Sequence, residues 1–304
     1  LGRPREGNLG LNAWLNHLPR QLAAQSLREA VAALEQAWRK KHLILVAAGG
    51  HVIKTGLGPY LVSGMRAGWI GGVVLHGAGL IHDFELAAAG HTSEDVARQL
   101  ARGMFGMARE TQEFFARVCE EAQRRKTGLG EAAGRVMREQ KLPYLGQSVV
   151  AQAFLYKIPL MVQVAIGADI VHMSPRLSGE ALGAAALQDF RRLCAMLQQH
   201  ERGIWLHLGS AVVLPEVLLK AVALARHAGK NLGGWAAIAV DRNLPYRIQQ
   251  NVLARPFPRS WYLPGALEIL VPLLHGLLME RGAEKLSVRV EQAAREEQQK
   301  ESGL

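Results

Sequence analysis

Five histidines, His51, His76, His82, His172 and His207, lie within or just after short apolar runs, and Asp83 and Asp169 stand among them. If the ends of those runs converge, such a set can serve as general acid and base. It could also ligate a metal, but none of the spacings carries a local ligand signature, so no metal site is assigned. Each histidine alone serves equally well as a hydrogen-bonded structural residue. The candidates for acid, base or substrate contact are His82, Asp83, Asp169 and His172. Asp169, Glu216, Asp241 and Glu268 fall near strand ends or helix starts. Buried carboxylates need partners, and a cationic substrate such as an amine or polyamine would supply them. The plainer alternative is that Glu216 caps its helix and Asp241 opens a turn. No phosphate loop ending in Gly-Lys-Ser/Thr occurs, and Gly77-x-Gly79 lacks the third glycine of the dinucleotide fingerprint. No Gly-x-Ser-x-Gly turn marks a nucleophile, and Ser210 reads as a small turn residue.

The elements that must position these groups are legible as alternating patterns. Residues 18–41 form an amphipathic helical pattern on Leu22, Leu27, Val31, Leu34 and Trp38. Five apolar runs then read as buried parallel strands: 43–48, 69–75, 158–166, 204–208 and 235–240. Helical patterns lie between them over 93–124, 129–140, 146–157, 180–200 and 215–228. Thr92-Ser93-Glu94-Asp95 looks like a helix start with a hydroxyl cap, and Gly103 and Gly106 interrupt the helical pattern beyond it. Strands alternating with helices predict an α/β fold, a parallel sheet with helices on both faces. Each strand ends in Gly, Ala, Ser or Asp, and in open α/β sheets ligands bind outside those ends. Small residues let backbone approach a ligand, and an Asp there can accept from ribose hydroxyls.

The 304 residues are 49% apolar and 20% charged, which excludes disorder as the main state. The richest apolar stretch, 263–279, carries Glu268, His275 and two prolines, so a membrane-spanning helix is not expected. Cys119 and Cys194 cannot build a disulfide framework, and a cytoplasmic location is the expectation. The net charge of +10 raises the prospect of a polyanion partner. The cations, however, cluster at helix ends, and only 6% of residues are aromatic, so nucleic-acid binding is not favoured.

Several blocks resemble deoxyhypusine synthases. Ser63-Gly64-Met65-Arg66 and the run from Val74 to Phe84 are similar to that family's early nucleotide-binding blocks. The run Gly209 to Glu216 is similar to its glycine-rich turn before the active-site helix, and Gly265 to Leu274 to its C-terminal block. The resemblance implies a Rossmann-like domain over 43–280, preceded by a helical segment, 1–42, and followed by a charged helix, 281–304. It implies NAD at the strand ends, a cationic substrate and a homo-oligomer, dimer or tetramer. By block position and strand-end placement the cofactor contacts are Ser63, Gly64, Gly77, Ala78, Gly79, Gly209, Ser210, Asp241 and Ala266, and the acids near strand ends or helix starts make Glu216 and Glu268 the substrate-contact candidates.

The departures are specific. Leu214 stands where the family has its imine-forming lysine, and Glu216 where it has a histidine. Leu57-Gly58-Pro59, Ile81-His82 and Gly265-Ala266 replace three further family blocks. The expectation is therefore an enzyme that binds NAD or a related nucleotide and acts on a small cationic substrate without a covalent lysine step. The alternatives are a true deoxyhypusine or homospermidine synthase with a displaced lysine such as Lys220, a non-catalytic binding protein, or a metal-dependent hydrolase built on strand-end histidines.

Overall fold

The computed structural model describes residues 10–92 and 95–282. Six strands form one all-parallel sheet: β1 (Leu43–Ala48), β2 (Gly72–His76), β3 (Leu160–Gln163), β4 (Arg202–Leu208), β5 (Gly234–Asp241) and β6 (Arg259–Pro264). Their order is β3-β2-β1-β4-β5-β6. Ahead of the sheet run α1 (Leu11–His17) and α2 (Leu22–Arg39). The first half adds α3 (Gly50–Lys54), α4 (Gly58–Ala67), α5 (Gly77–Ala89), α6 (Val96–Ala101), α7 (Arg109–Arg125), α8 (Leu129–Glu139) and α9 (Val149–Leu155). The second half adds α10 (Gly179–Gln199), α11 (Val213–His227) and the short α12 (Tyr246–Ile248), which runs on as a π-helical turn over Gln249–Ala254. Residues 267–282 form α13.

The sheet is buried on both faces, and β1 shows how. Ile44, Val46 and Ala48 join a core with residues of α2, α5, α7, α8, α9 and α13. Leu43, Leu45 and Ala47 point the other way, against Leu193 and Leu197 of α10, Leu214 and Leu218 of α11, and Ile248. All six residues of β1 are buried, which is why its sequence is a continuous apolar run rather than an alternation.

Several boundaries differ from expectation. The apolar face of α2 is Leu27, Ala30, Val31, Leu34 and Ala37, whereas Leu22 is 89% exposed, because the helix begins there and its first turn projects beyond the core. The segment 93–124 divides into α6 and α7, with the chain turning at Gly103 and Gly106, both at positive φ. The cap of α6 is the Asp95 carboxylate, which accepts from the Arg98 N–H at 3.1 Å; Ser93 and Glu94 lie outside the described residues. Strand β6 was hidden within a polar stretch, since of its six residues only Leu263 is buried. Of the helix expected over 281–304, residues 281 and 282 end α13 and the rest lie outside the described residues. No helix among the described residues is long and apolar enough to cross a membrane.

Candidate functional site

The strand order puts its reversal between β1 and β4, neighbours in the sheet with crossovers leading away on opposite sides, which is where open α/β sheets place their ligands. The turns that follow the two strands meet there. A Cβ on Gly49 would stand 2.3 Å from the Gly209 carbonyl oxygen, so glycine is required for the turns to touch. Gly209 itself has φ +58°, in the left-handed region.

His207 fixes this second turn. It is fully buried, donates from Nε2 to the Ser210 carbonyl oxygen at 2.7 Å, and accepts at Nδ1 from the Trp205 indole N–H at 3.3 Å. Both ring nitrogens are used, which sets the neutral tautomer. Burial pushes its pKa down to about 4, against the opposing pull of the Ser210 bond and the Asp241 charge. His207 therefore shapes the turn rather than exchanging protons. The Ser210 hydroxyl accepts from the Leu214 N–H at 3.4 Å, in the first turn of α11. Asp241 ends β5 beside this turn, and its Oδ1 accepts from the Asn243 N–H at 3.2 Å. The Ala266 carbonyl accepts from the Ile269 and Leu270 N–H groups and starts α13.

The other half of the site lies where β2 and β3 end side by side, with His76 and Gln163 in register. The His76 ring caps α5, its Nδ1 accepting from the Ala78 N–H at 3.3 Å. That assigns the ring proton to Nε2, so the 3.8 Å approach of Nδ1 to Asp169 Oδ1 is not a hydrogen bond. Asp169 is buried and sits over Gly77, where a Cβ would stand 2.2 Å from its Oδ2. The Ala165 N–H reaches Oδ2 at 3.4 Å. Among the described residues Oδ1 has no hydrogen-bond partner, and neither have His76 Nε2 and Gln163 Nε2. These three buried polar atoms leave hydrogen-bonding capacity that water or a polar ligand can meet.

A cavity of about 210 Å³ opens here, and Lys54, His82, Glu85 and Asp169 line it together with apolar side chains that include Ile81 and Phe105. His82 Nδ1 is 3.0 Å from Glu85 Oε2. Donation to the carboxylate orients the ring and leaves Nε2 to accept a proton, an arrangement suited to a general base. Lys54, on α3, makes no ion pair among the described residues.

The structure thus brings His82 and Asp169 together and separates them from other candidates. Asp83, one residue from His82, points into the protein and accepts from the Ser148 hydroxyl at 2.5 Å and from the Val149 and Val150 N–H groups at 2.8 and 3.1 Å. It anchors the start of α9, and burial pushes its pKa up to about 6 despite those bonds. His172 lies three residues beyond Asp169 and accepts at Nδ1 from the Gly167 N–H, and it does not line the cavity. Ser63 and Gly64 lie in α4, and Gly64 is packed beneath Trp69 and Ile70 just before β2 begins. That is the amino end of the strand, away from the carboxyl ends, so their small size serves helix packing.

Glu216 is engaged by Lys220, by Arg247 at 3.2 Å and by Asn251 at 2.9 Å, and Lys220 first and Arg247 next hold its carboxyl below the usual range. Glu268 pairs with Arg242 on the surface. Leu214, in the place of the family lysine, is fully buried in the core against the sheet. Lys220 projects from the outer side of α11 and does not line the cavity. Among the described residues no three His, Cys, Asp or Glu side chains gather as a metal-ligand set. Sequence reasoning missed Lys54 and Glu85. For Glu85 a signal existed, since His-x-x-Glu places both side chains on one face of a helix; for Lys54 none did.

No protein-family model matches the chain, and no curated protein matches it in sequence. Solved structures share its fold. ArgZ, an arginine dihydrolase from the ornithine-ammonia cycle in cyanobacteria, superposes over 86% of this chain with a TM-score of 0.52 and 17% identity. This chain spans only 33% of ArgZ. AgrE in a ternary complex with ornithine and NAD+ gives 0.56 at 16% identity, over 86% of this chain and 34% of AgrE. A conserved LOR/SDH-type protein from Methanococcus maripaludis S2 gives 0.57 at 15% identity, over 86% of this chain and 69% of that one. A candidate deoxyhypusine synthase from Entamoeba histolytica gives 0.54 at 10% identity and covers 91% of this chain and 95% of its own. At these identities the likeness is one of fold: the chain has the Rossmann-like parallel sheet of these proteins.

Proposed function

We propose that this protein is an enzyme that binds NAD or a related dinucleotide across the β1/β4 reversal and acts on a small amine held at the ends of β2 and β3. The observation that carries this reading is the buried Asp169 carboxylate. Among the described residues its Oδ1 has no hydrogen-bond partner, and Asp169 borders a cavity with the His82–Glu85 pair at the carboxyl end of a β3-β2-β1-β4-β5-β6 sheet. A carboxylate out of water without a cation is costly, and a substrate ammonium supplies the missing charge.

The Gly209-Ser210 turn and the Val213 N–H at the start of α11 would hold the pyrophosphate. Asp241, with one carboxylate oxygen on Asn243, has the other to offer a ribose hydroxyl. NAD, when bound, supplies the hydride acceptor for oxidation at a C–N bond. Asp169 positions the substrate nitrogen, and His82 Nε2 takes the proton that nitrogen must lose, with Glu85 stabilising the ring as it becomes charged. The reading involves no lysine imine, because Leu214 is apolar and buried and Lys220 is ion-paired elsewhere.

Calorimetric titration of the full chain with NAD, alone and with spermidine or ornithine, tests the proposal. Micromolar NAD affinity that rises with an amine is the expected result. No binding at millimolar NAD would overturn it.

A further inference from the structure

The net charge of +10 has no part in the site above, and the fold collects some of it elsewhere. A helix that leads into a parallel strand brings its last turn, where cations are favoured, to that strand's amino end. At the amino ends of β1, β2 and β4 lies a cavity of about 620 Å³, bordered by Leu43, Gly71 and His200. Strand β1 is six residues long, so roughly 20 Å separates this cavity from the carboxyl end of the sheet. Its charges do not balance. Among the described residues Glu35 is the one carboxylate that lines it, and two guanidinium groups share that carboxylate, Arg39 on Oε1 and Arg281 on Oε2 at 2.6 Å. Arg281 alone neutralises Glu35, so Arg39 is in surplus. So is Lys41, which makes no ion pair among the described residues. Both surplus cations reach solvent: the Arg39 side chain is 48% exposed, and Lys41 is exposed. His42 and His200 line the same cavity and add no negative charge. Across His200 a neighbouring cavity continues the imbalance, with Arg202 and Lys230 against Glu201. His42 registers the field: burial first, then the charges of Arg202 and Lys40, hold its ring below the ordinary histidine value. The inner wall is apolar, formed by Trp38, Trp69 and Leu43. A dianion with an apolar body matches both parts. A monocarboxylate would leave one cation unmet, and bare phosphate would leave the apolar wall facing water. The volume is that of a small-molecule site.

We propose that this cavity binds an organic phosphate monoester, its phosphate group on Arg39 and Lys41 and its apolar body against Trp38. Such a phosphate carries close to two negative charges at neutral pH, the number the two surplus cations require. The site is separate from those proposed above for the dinucleotide and the amine, and it employs a cationic face that neither of them uses.

The test is calorimetry on the full chain, with and without saturating NAD, using hexyl phosphate, 1-naphthyl phosphate, hexanoate and inorganic phosphate as probes. At least one of the two esters is expected to bind about tenfold or more tighter than hexanoate and inorganic phosphate, the scale of one charged hydrogen bond or of a few buried methylene groups. Lys41 has φ +55°, so Lys41→Gly removes the ammonium where the backbone suits glycine and folding is not at risk. It should weaken the ester about three- to fivefold, the scale of an exposed ion pair, and leave NAD affinity unchanged. Glu35→Gln removes the competing carboxylate and should tighten ester binding, a gain that a damaged fold cannot imitate. In an NMR titration the bound ester should raise the His42 pKa, because it brings negative charge beside the ring. Failure of both esters to bind would overturn the proposal, as would hexanoate binding as tightly as hexyl phosphate. So would displacement of the ester by NAD, an ester affinity unchanged in Lys41→Gly, or a His42 ring that does not respond. If NAD itself does not bind, the dinucleotide reading falls alone, and the Lys41 and His42 readouts still decide this site.

Discussion

Acidification should weaken the protein through His207, and the size of the effect follows from its surroundings. In the unfolded chain this ring takes its proton near pH 6.5. In the fold it is fully buried, committed as donor to Ser210 and as acceptor from Trp205, and its pKa is pushed down to about 4. Above the unfolded value both states are neutral and the full stability is present. As pH falls below it the unfolded chain binds a proton that the folded chain refuses, and stability drains away until the folded value is passed. The difference of 2.5 pH units between those values corresponds to roughly 3 kcal/mol. Two buried acids act in the opposite sense. Asp83, pushed up to about 6, and Asp189, pushed up to about 7, cost stability when ionised and return it as pH falls. The whole-protein curve therefore mixes the three, and a difference measurement is needed. In urea unfolding at a series of pH values, the stability gap between wild type and His207→Gln should shrink by roughly 3 kcal/mol between about pH 7.5 and pH 4. A gap that stays constant across that range would refute the neutral, buried assignment. NAD affinity should fall over the same range if the His207 bond holds the Ser210 turn in binding shape.

Three further outcomes rest on the same geometry. Gly77→Ala places a methyl group on Asp169 and should cost about 1–3 kcal/mol by thermal unfolding while lowering amine affinity and sparing NAD; undiminished amine affinity would remove Asp169 as the anchor. Asp83→Ala strips the partner from three donors at the start of α9 and should cost roughly 2–4 kcal/mol without changing NAD affinity. Loss of turnover with intact stability would place Asp83 in the chemistry instead. Leu214→Lys buries an ammonium among apolar side chains, should destabilise by about 3 kcal/mol or more, and should yield no borohydride-trapped adduct with spermidine when followed by mass spectrometry.

Much of this architecture is legible in the residues alone. Strands buried on both faces announce themselves as apolar runs closed by a small residue, and β1 to β5 were visible for that reason. Strand β6 was not, because an edge strand with one buried residue has no such run. The candidate site was legible only in part. Asp169 and His82 stood out by type and place, but sequence cannot say which way a helical side chain turns, and adjacent His82 and Asp83 face a cavity and the interior respectively. Ser63 and Gly64 misled because a small residue serves helix packing and ligand approach equally. Lys54 stayed hidden because a lone lysine on a five-residue helix looks like any solvated cation until the loop after β3 folds over beside it.

The backbone contact between Gly49 and Gly209 has a kinetic consequence. It ties the two halves of the sheet at their midline, so that strands β1 and β4 cannot part without separating atoms already in contact. Parting the strands there would also break the six-residue ladder between β1 and β4, so entry of a small molecule is not expected by that route. The freedom must come from elsewhere on the rim. Helix α6 buries no residue of its own, and it is bounded by the glycine turns that divide it from α7. Val96 and Phe105, at either end of that stretch, wall the cavity. Residence time of a bound molecule should accordingly track the opening rate of residues 96–108, readable as fast amide exchange there against a protected β1 and β4.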